Sequence, residues 1–362
     1  MKRIYLIRHT KPELGGREHV CLGGRSDPPL STEGFEAAKK LALCFSDGEK
    51  LRIYASPLLR AQQTAEALSA GRWPVETLPG VREIDTGEWD GLSFDVIRER
   101  YPELYALRGG DLSLTPPGGE SLEKCAERGM KALRSVMDDG DETVVIVAHA
   151  GMIRSLLCVI MGRPLGEYRS IAQSYGCINS LLWDGEKLRA EAVGRTWDAL
   201  PDAEEMYARF AAPPQVREHC GAVKKTALAL ASALPERRGI DIPLLESAAL
   251  LHDMCRSEKH HAERAAERLR DEGYLRLANV IEKHHDCPVV GEIDEAKLLF
   301  LADKLCFGTE TVGIKERFDR SFKRCENAEA RAAHERRRAM AEEIEKKYLK
   351  AAGISAIEEA IK

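Results

Sequence analysis

Long apolar runs are missing from this chain. None approaches the roughly 18 residues of a membrane span, and the N-terminus lacks the apolar core of a signal peptide. The ten cysteines include no CxxC pair, which argues against a disulfide framework and against a thiolate zinc site. A net charge of -5 gives no global argument for nucleic-acid binding. We therefore expect a cytoplasmic protein with reduced, mostly structural thiols, and neither nucleic acid nor a membrane as a partner.

What is present is an ordinary globular composition over 362 residues, a length that predicts two or three domains. The first half alternates between strand and helix patterns. Short apolar runs at 4–7, 51–55 and 143–148 predict buried strands, and 178–183 with 188–193 predicts a terminal β-hairpin. Ser31 and Pro57 are typical of helix starts. This alternation predicts a mostly parallel sheet flanked by helices.

Charged side chains follow three of these predicted strands. The first ends in Arg8 and His9, the third ends in His149, and the second leads into a helix that carries Arg60. The carboxyl ends of parallel strands lie at one edge of a sheet, where ligands of open α/β folds bind. A guanidinium can donate two parallel hydrogen bonds to phosphate oxygens while an imidazole attacks the phosphorus. The pattern therefore predicts a phosphoryl-transfer site at this edge.

Four motifs make a resemblance specific: LIRHT at 6–10, SPLLRAQQTA at 56–65, Glu83 followed by GEWDG at 87–91, and AHAGMIR at 148–154. Over about 195 residues they resemble the histidine phosphatase superfamily in its phosphoglycerate mutase-like branch. The resemblance implies a phosphoglycerate mutase-like α/β fold that needs no cofactor. It implies that His9 accepts the phosphoryl group, that Glu83 protonates the leaving oxygen, and that the phosphate oxygens are bound by Arg8, Arg60 and His149.

Two departures separate this chain from the glycolytic mutases. Thr10 follows the histidine directly, where many members have glycine, and the segment after Glu83 lacks the mutases' long insertion. The Arg-His-Thr form is more similar to the α-ribazole phosphatases of cobalamin synthesis. We therefore expect a phosphatase for α-ribazole 5′-phosphate or a nucleotide-like monoester, with a phosphomutase as the alternative. Arg25 is equally typical of a substrate contact and of a solvated loop.

A connector at 201–214, rich in proline and acidic residues, separates a first domain at 1–200 from a second at 215–362. Beyond it strand patterns stop and helical periodicity predicts an all-α domain. Several ionisable residues fall on the apolar stripes of these helices, among them His219, His252 and Asp303. Burying them without partners is costly, and a bound metal ion accounts for them economically.

The ordered series of histidines and aspartates resembles the HD phosphohydrolase superfamily, most closely its members with a two-metal site. The resemblance implies one or two divalent ions, of Mn, Fe, Co, Ni, Zn or Mg. It implies a basic metal shell of His219, His252, Asp253 and Asp303. It also implies a second set of His261, His284 and His285, with His260 as the alternative to His261. Arg256 and Lys304 are candidate phosphate contacts.

The charged C-terminal helix after Cys325 predicts packing on this second domain, with a homodimer through the helix as the alternative. Taken together, the sequence predicts a bifunctional phosphohydrolase that acts on a small phosphorylated metabolite and a nucleotide-like substrate. In the competing hypothesis, the second domain is a regulatory module that binds a metal or a nucleotide without turnover.

Overall fold

The computed structural model describes residues 1–17, 19–107, 114–137, 143–235, 239–323 and 325–361. The chain divides into two units, described separately below. The first is Met1–Ala199 with Asp271–Gly273, and the second is Leu200–Arg270 with Tyr274–Lys362. In the described parts of the chain, no helix combines the length and the apolar character needed to cross a membrane.

A mixed sheet forms the centre of the first unit, in the order β3-β2-β4-β1-β5-β6. The four strands β3, β2, β4 and β1 are parallel, whereas β5 runs antiparallel to both β1 and β6. Their bounds are β1 Lys2–Arg8, β2 Leu51–Ala55, β3 Val75–Thr77, β4 Thr143–Ala148, β5 Ile178–Trp183 and β6 Leu188–Arg195. The mostly parallel sheet that the sequence predicted is confirmed. The short edge strand β3 was not predicted, because Val-Glu-Thr offers no apolar run.

The central strands are buried on both faces. Ile4, Leu6, Val144 and Ile146 have no exposed surface and belong to one apolar cluster. Each fully buried aliphatic side chain of this kind stabilises the fold by about 1.5–3 kcal/mol. The helices of this unit are α1 Thr32–Leu41, α2 Leu59–Ser69, α3 Phe94–Arg100, α4 Pro102–Leu107, α5 Leu122–Arg134 and α6 Ala150–Met161.

The predicted starts of helices α1 and α2 can be compared with the structure. Ser31 caps α1 as predicted, because its hydroxyl accepts from the Gly34 N–H. Pro57, predicted in the first turn of α2, lies before that helix, which begins at Leu59. The reason is a distant cap: the carboxylate of Asp27 accepts from the Leu59 N–H at 2.6 Å. A loop residue therefore fixes where α2 begins and, with it, the position of Arg60.

The second unit is a helical bundle with one small hairpin. Its helices are α7 Ala203–Arg209, α8 Pro214–Ala233, α9 Ile242–Leu251, α10 His261–Asp271, α11 Leu275–Glu282, α12 Glu295–Lys304, α13 Ile314–Phe322 and α14 Ala328–Ala352. The unpredicted hairpin joins β7 Cys306–Phe307 to β8 Glu310–Thr311, strands too short to leave a pattern. Helix α12 is buried all round, which places it at the centre of the bundle. The helical second domain is confirmed.

The long charged helix α14 packs on this bundle. It buries Ala341, Ile344 and Tyr348, and the Tyr348 hydroxyl donates to the Leu230 carbonyl at 2.8 Å. The homodimer remains a prediction.

Candidate active site and metal centre

Three strand ends meet in the first unit because of the sheet register. Arg8 pairs with Ala148 across β1 and β4, and Ala55 pairs with Val147 across β2 and β4. The residues that follow directly, namely His9, Ser56 and His149, therefore emerge side by side. The rings of His9 and His149 lie 5.1 Å apart between centroids. The parallel sheet thus brings the predicted histidines to one edge.

His9 has the geometry of a nucleophile. Its Nδ1 lies 2.7 Å from the Thr10 carbonyl, which can only accept, so Nδ1 carries the ring proton. The lone pair is then on Nε2, on a side chain that lines a cavity. Burial, followed by the charges of Arg60 and Arg8, lowers the pKa of His9 well below its ordinary value of 6.5. The imidazole is therefore neutral, the state in which it can attack phosphorus.

Two arginines supply positive charge next to this ring. Arg8 donates from Nη1 to the Gln173 carbonyl at 2.6 Å, and the Tyr175 ring lies 3.8 Å from its guanidinium. Arg60 donates to the carbonyls of Ser26 at 2.8 Å and Gly23 at 3.1 Å. The Nε groups of both are buried without a hydrogen-bond partner among the described residues. Buried cationic donors of this kind suit a phosphate dianion.

His149 is held by a residue outside the predicted set. Its Nε2 lies 2.7 Å from the hydroxyl of Ser56, and its Nδ1 has no partner among the described residues. Burial, followed by the charges of Arg60 and His9, lowers its pKa well below the ordinary value. A neutral His149 fixed at Nε2 leaves its other nitrogen available for a ligand.

Glu83 faces the same cavity, anchored at the start of α6. Its carboxylate accepts from the backbone N–H groups of Ile84 at 2.9 Å, Met152 at 2.9 Å and Gly151 at 3.1 Å. These bonds orient the carboxylate beside Arg8 and His9. An acid held at this place can exchange a proton with a bound ester.

Gly151 leaves room for this carboxylate, and its replacement is a test. A Cβ there would lie 2.8 Å from Glu83 Oε1 and 2.9 Å from Ile84 Cγ2, so Glu83 would have to move. We expect Gly151→Ala to fold normally and to lower kcat by on the order of 10²-fold, because misplaced catalytic groups cost about that much. The measurement is steady-state kinetics. Gly221→Ala in α8, where a Cβ meets nothing within 4 Å, is the control, and equal kinetics for both variants would contradict the placement of Glu83.

The pH profile gives a second test. Because burial, and then the charges of Arg60 and Arg8, lower the pKa of His9, kcat/KM should hold as pH falls through 6.5, where an ordinary histidine becomes protonated. Arg60→Gln removes one of these charges, so the acid limb should move to higher pH in addition to the overall loss of activity. Rates over about pH 5 to 8 measure this limb. Arg25→Gln should leave it in place, and an unmoved limb in Arg60→Gln would refute the electrostatic argument.

The cavity measures about 480 Å³ and includes side chains that sequence reasoning left without a role. Tyr175 lies in a loop, where no sequence periodicity marks it as a site residue. Arg154 ends the AHAGMIR motif, and this motif could have identified it as a candidate. The further aromatic and basic lining residues are Phe94, Tyr105, Tyr168 and Arg169. Arg25 pairs with Asp85 at 2.8 Å and is not part of this lining.

In the second unit, three histidines point the same ring atom inward. Nδ1 lies 2.8 Å from the Gly308 carbonyl in His219, 2.9 Å from that of Ala249 in His252, and 2.7 Å from that of Ile281 in His284. Hydrogen bonds from Nδ1–H to these carbonyls direct all three Nε2 lone pairs toward Asp253. The Nε2 atoms of His252 and His284 are buried without a hydrogen-bond partner among the described residues. Orphaned nitrogens oriented by backbone carbonyls are typical of metal ligands.

All the predicted ligands except Asp253 fall into two groups, each with its donor atoms within 4.8 Å of one another. One group is His219, His252 and Asp303, and the other is His261, His284 and His285. Asp253 lies between the groups: Oδ1 is 3.0 Å from His261 and 3.6 Å from His284, whereas Oδ2 is 3.8 Å from His252 and 3.9 Å from His219. The exposed His260 is in neither group.

The charges of this cluster suit a cation. Burial opposes ionisation of Asp303, but the charge of Lys304 holds its pKa well below the ordinary value. For His252, burial favours the neutral ring, whereas Cys220 and the neighbouring carboxylates raise its pKa.

Two candidate phosphate contacts differ in their placement. Lys304 is buried and donates to Asp303 at 2.6 Å and to the His284 carbonyl at 3.2 Å, so it neutralises a predicted metal ligand. It does not line the cavity next to the ligand cluster. Arg256 does line that cavity, with Nη1 at 3.1 and 3.0 Å from the Asp253 oxygens.

Separate parts of this chain match two known families. Residues 4–196 match the histidine phosphatase superfamily (branch 1), and residues 216–308 match the HD domain. The chain is 33% identical over 169 residues to 6-phosphofructo-2-kinase/fructose-2,6-bisphosphatase 4 of Rattus norvegicus, covering 46% of this chain and 34% of the relative. It is 30% identical over 190 residues to "Putative phosphoserine phosphatase 2" of Hydrogenobacter thermophilus, covering 52% and 92%.

The chain thus spans about a third of the length of the kinase/bisphosphatases that it matches. Among solved structures, Bacillus stearothermophilus YhfR is 29% identical, with 52% of this chain and 95% of that chain covered and a TM-score of 0.49. The α-ribazole phosphatase of Shigella flexneri is 21% identical, with 53% and 96% covered and a TM-score of 0.48.

Proposed function

Because the chain belongs to the histidine phosphatase superfamily, we propose that its first unit hydrolyses a small phosphomonoester through a phosphohistidine on His9. The observation that carries this proposal is the neutral His9 ring: Nδ1 is tied to the Thr10 carbonyl, Nε2 is left free, and the positive charges of Arg60 and Arg8 act on the ring. Phosphoryl transfer depends mainly on positioning and charge stabilisation, and these residues supply both.

Two steps follow from this arrangement. His9 Nε2 attacks phosphorus, the P–N bond forms, and the P–O bond to the alcohol breaks as a proton passes from Glu83 to the leaving oxygen. Water then attacks the phosphohistidine, with Glu83 taking a proton, and the P–N bond breaks to release phosphate. Arg8, Arg60 and His149 hold the phosphoryl oxygens throughout, where negative charge accumulates.

The substrate we propose is α-ribazole 5′-phosphate or a similar nucleotide-like monoester. The Arg8-His9-Thr10 motif supports this choice, as does a cavity of about 480 Å³ with aromatic side chains on its wall. A cavity of this size suits a small metabolite. Aromatic rings such as Phe94 and Tyr105 offer surfaces on which a base can stack.

For the second unit we propose a metal-dependent phosphohydrolase that acts on a nucleotide-type substrate. His219, His252 and Asp303 would hold one divalent ion, His261, His284 and His285 a second, and Asp253 would contribute one oxygen to each. A bound pair of this kind supplies an activated water and a clamp for phosphate oxygens. Backbone carbonyls orient the rings of His252 and His284, and the Lys304 ammonium neutralises the Asp303 carboxylate.

One screen tests both proposals. Full-length protein is assayed against phosphomonoesters and nucleotides, once with chelator and once with Mn²⁺, Co²⁺ or Ni²⁺. Phosphate release that resists chelation supports the first unit, and nucleotide hydrolysis that requires the metal supports the second. Isomer exchange without net phosphate release would make the first unit a mutase. Metal binding without nucleotide turnover would make the second a regulatory module.

A further inference from the structure

The ligand cluster of the second unit opens into a cavity of about 270 Å³. It is lined by His219, Asp253 and Asp303 of the cluster and by Arg256 and Arg317. We propose that these two guanidiniums form an anion subsite for a second phosphoryl group, so that this unit prefers phosphoanhydrides to simple monoesters. The inference rests on the proposed function of the second unit and names its substrate class.

Arg317 is held in place for such a contact. It lies in the first turn of α13, and its Nε donates to the Cys306 carbonyl at 2.7 Å. Its guanidinium also lies 5.4 Å from the centre of the Phe307 ring. These contacts fix the direction of the planar group before a ligand arrives, which reduces the entropy lost on binding.

Arg256 lines the cavity next to the ligand Asp253. Its Nη1 contacts both oxygens of Asp253, while the side chain as a whole is 46% exposed. A phosphoryl group bound at the cluster would therefore have Arg256 beside it, and a group attached to that phosphoryl would share the small cavity that Arg317 also lines. Two guanidiniums on one small cavity favour a compact dianion over an uncharged alcohol.

A third positive contribution comes from α8. Gln215 and Val216, which also line the cavity, are the second and third residues of this 20-residue helix. The partial positive charge of a helix N-terminus is favourable for a phosphate. Asp253 and Asp303 oppose an anion, so its binding should strengthen when a cation neutralises them.

The test is isothermal titration calorimetry of pyrophosphate and orthophosphate into full-length protein with Mn²⁺. An Arg60→Gln background, common to all samples, weakens phosphate binding in the first unit. We expect Arg317→Gln to weaken pyrophosphate binding on the order of tenfold and orthophosphate binding by less than about threefold. Arg317→Lys, which keeps the charge without the fork, should recover part of the loss.

The matched control is Arg320→Gln. Arg320 lies in the same helix and 5.3 Å from the same Phe307 ring, but it pairs with Glu310 and Glu316 and does not line the cavity. This control should stay within about twofold of the parent. Equal losses in the two variants, or equal losses for both anions, would overturn the subsite. Absence of Mn²⁺ binding in the parent would instead refute the proposed function.

Should Arg317→Gln unfold, Arg317→Lys decides by itself. A pyrophosphate affinity equal to that of the parent would show that the guanidinium fork is not used. A loss larger for pyrophosphate than for orthophosphate would support the subsite.

Discussion

His9→Ala is expected to abolish phosphomonoester turnover, with kcat lowered by at least about 10³-fold. Without His9 Nε2, the atom proposed to attack phosphorus is missing from the cavity. The nearest imidazole, His149, has its Nε2 engaged by Ser56 at 2.7 Å. The arginines and Glu83 would remain in place, so substrate should still bind while the P–N bond cannot form.

Phosphoenzyme trapping makes this prediction specific. Wild-type protein quenched in alkali after a short incubation with labelled substrate should carry acid-labile phosphate, and His9→Ala should carry none. The matched control is His19→Asn, because His19 is an exposed loop histidine at φ 55°, a conformation that asparagine tolerates. Label that persists in His9→Ala would move the nucleophile elsewhere. Metal-dependent hydrolysis by the second unit should be equal in all three proteins.

Sequence patterns predicted the elements that long apolar runs define. Strands β4 and β5 match their predicted bounds, because an apolar run with turn residues on each side leaves little freedom. Strand β3 and the β7–β8 hairpin escaped prediction, since two or three residues carry no periodicity and are ordered by their neighbours. The helix start at Leu59 depends on Asp27, which lies 32 residues away in the chain.

The candidate sites divide in the same way. The sequence pointed to His9 and His149 because strand ends are readable, and the sheet register then brings them together. Side chains placed by loops gave no such signal: Tyr175 packs on Arg8, and the Gln173 carbonyl holds the Arg8 guanidinium. In the second unit, helical phase indicated the ligand candidates, but the assignment of each Asp253 oxygen to a group of histidines depends on the tertiary structure.

Asp253→Asn is expected to have the largest effect on the second unit. Each carboxylate oxygen faces a different group of histidines, so one substitution removes negative charge from both. Loss of an outer partner of a metal ligand already costs 10–100-fold in affinity, so loss of this shared carboxylate should cost at least about 100-fold. Elemental analysis after dialysis should find about two ions per wild-type chain and few in the variant.

Thermal unfolding gives an independent readout of the same substitution. An ion that binds only the folded state stabilises it by about 2.7 kcal/mol when its concentration is 100-fold above Kd. Mn²⁺ should therefore raise the unfolding temperature of wild-type protein by several degrees and leave Asp253→Asn unchanged. Asp286→Asn is the matched control, because Asp286 follows His285 directly but is 70% exposed and lies 3.6 Å from Arg337.

The phosphatase activity of the first unit distinguishes loss of a metal ligand from misfolding of the whole protein. Its chelator-resistant phosphatase activity depends on residues of another unit, so it should be the same in wild type, Asp253→Asn and Asp286→Asn. If Asp253→Asn kept both its ions and its Mn²⁺-dependent stabilisation, Asp253 would not be a shared ligand. The carboxylate would then serve as the ion-pair partner of Arg256, and the two histidine groups would have to bind their ions independently.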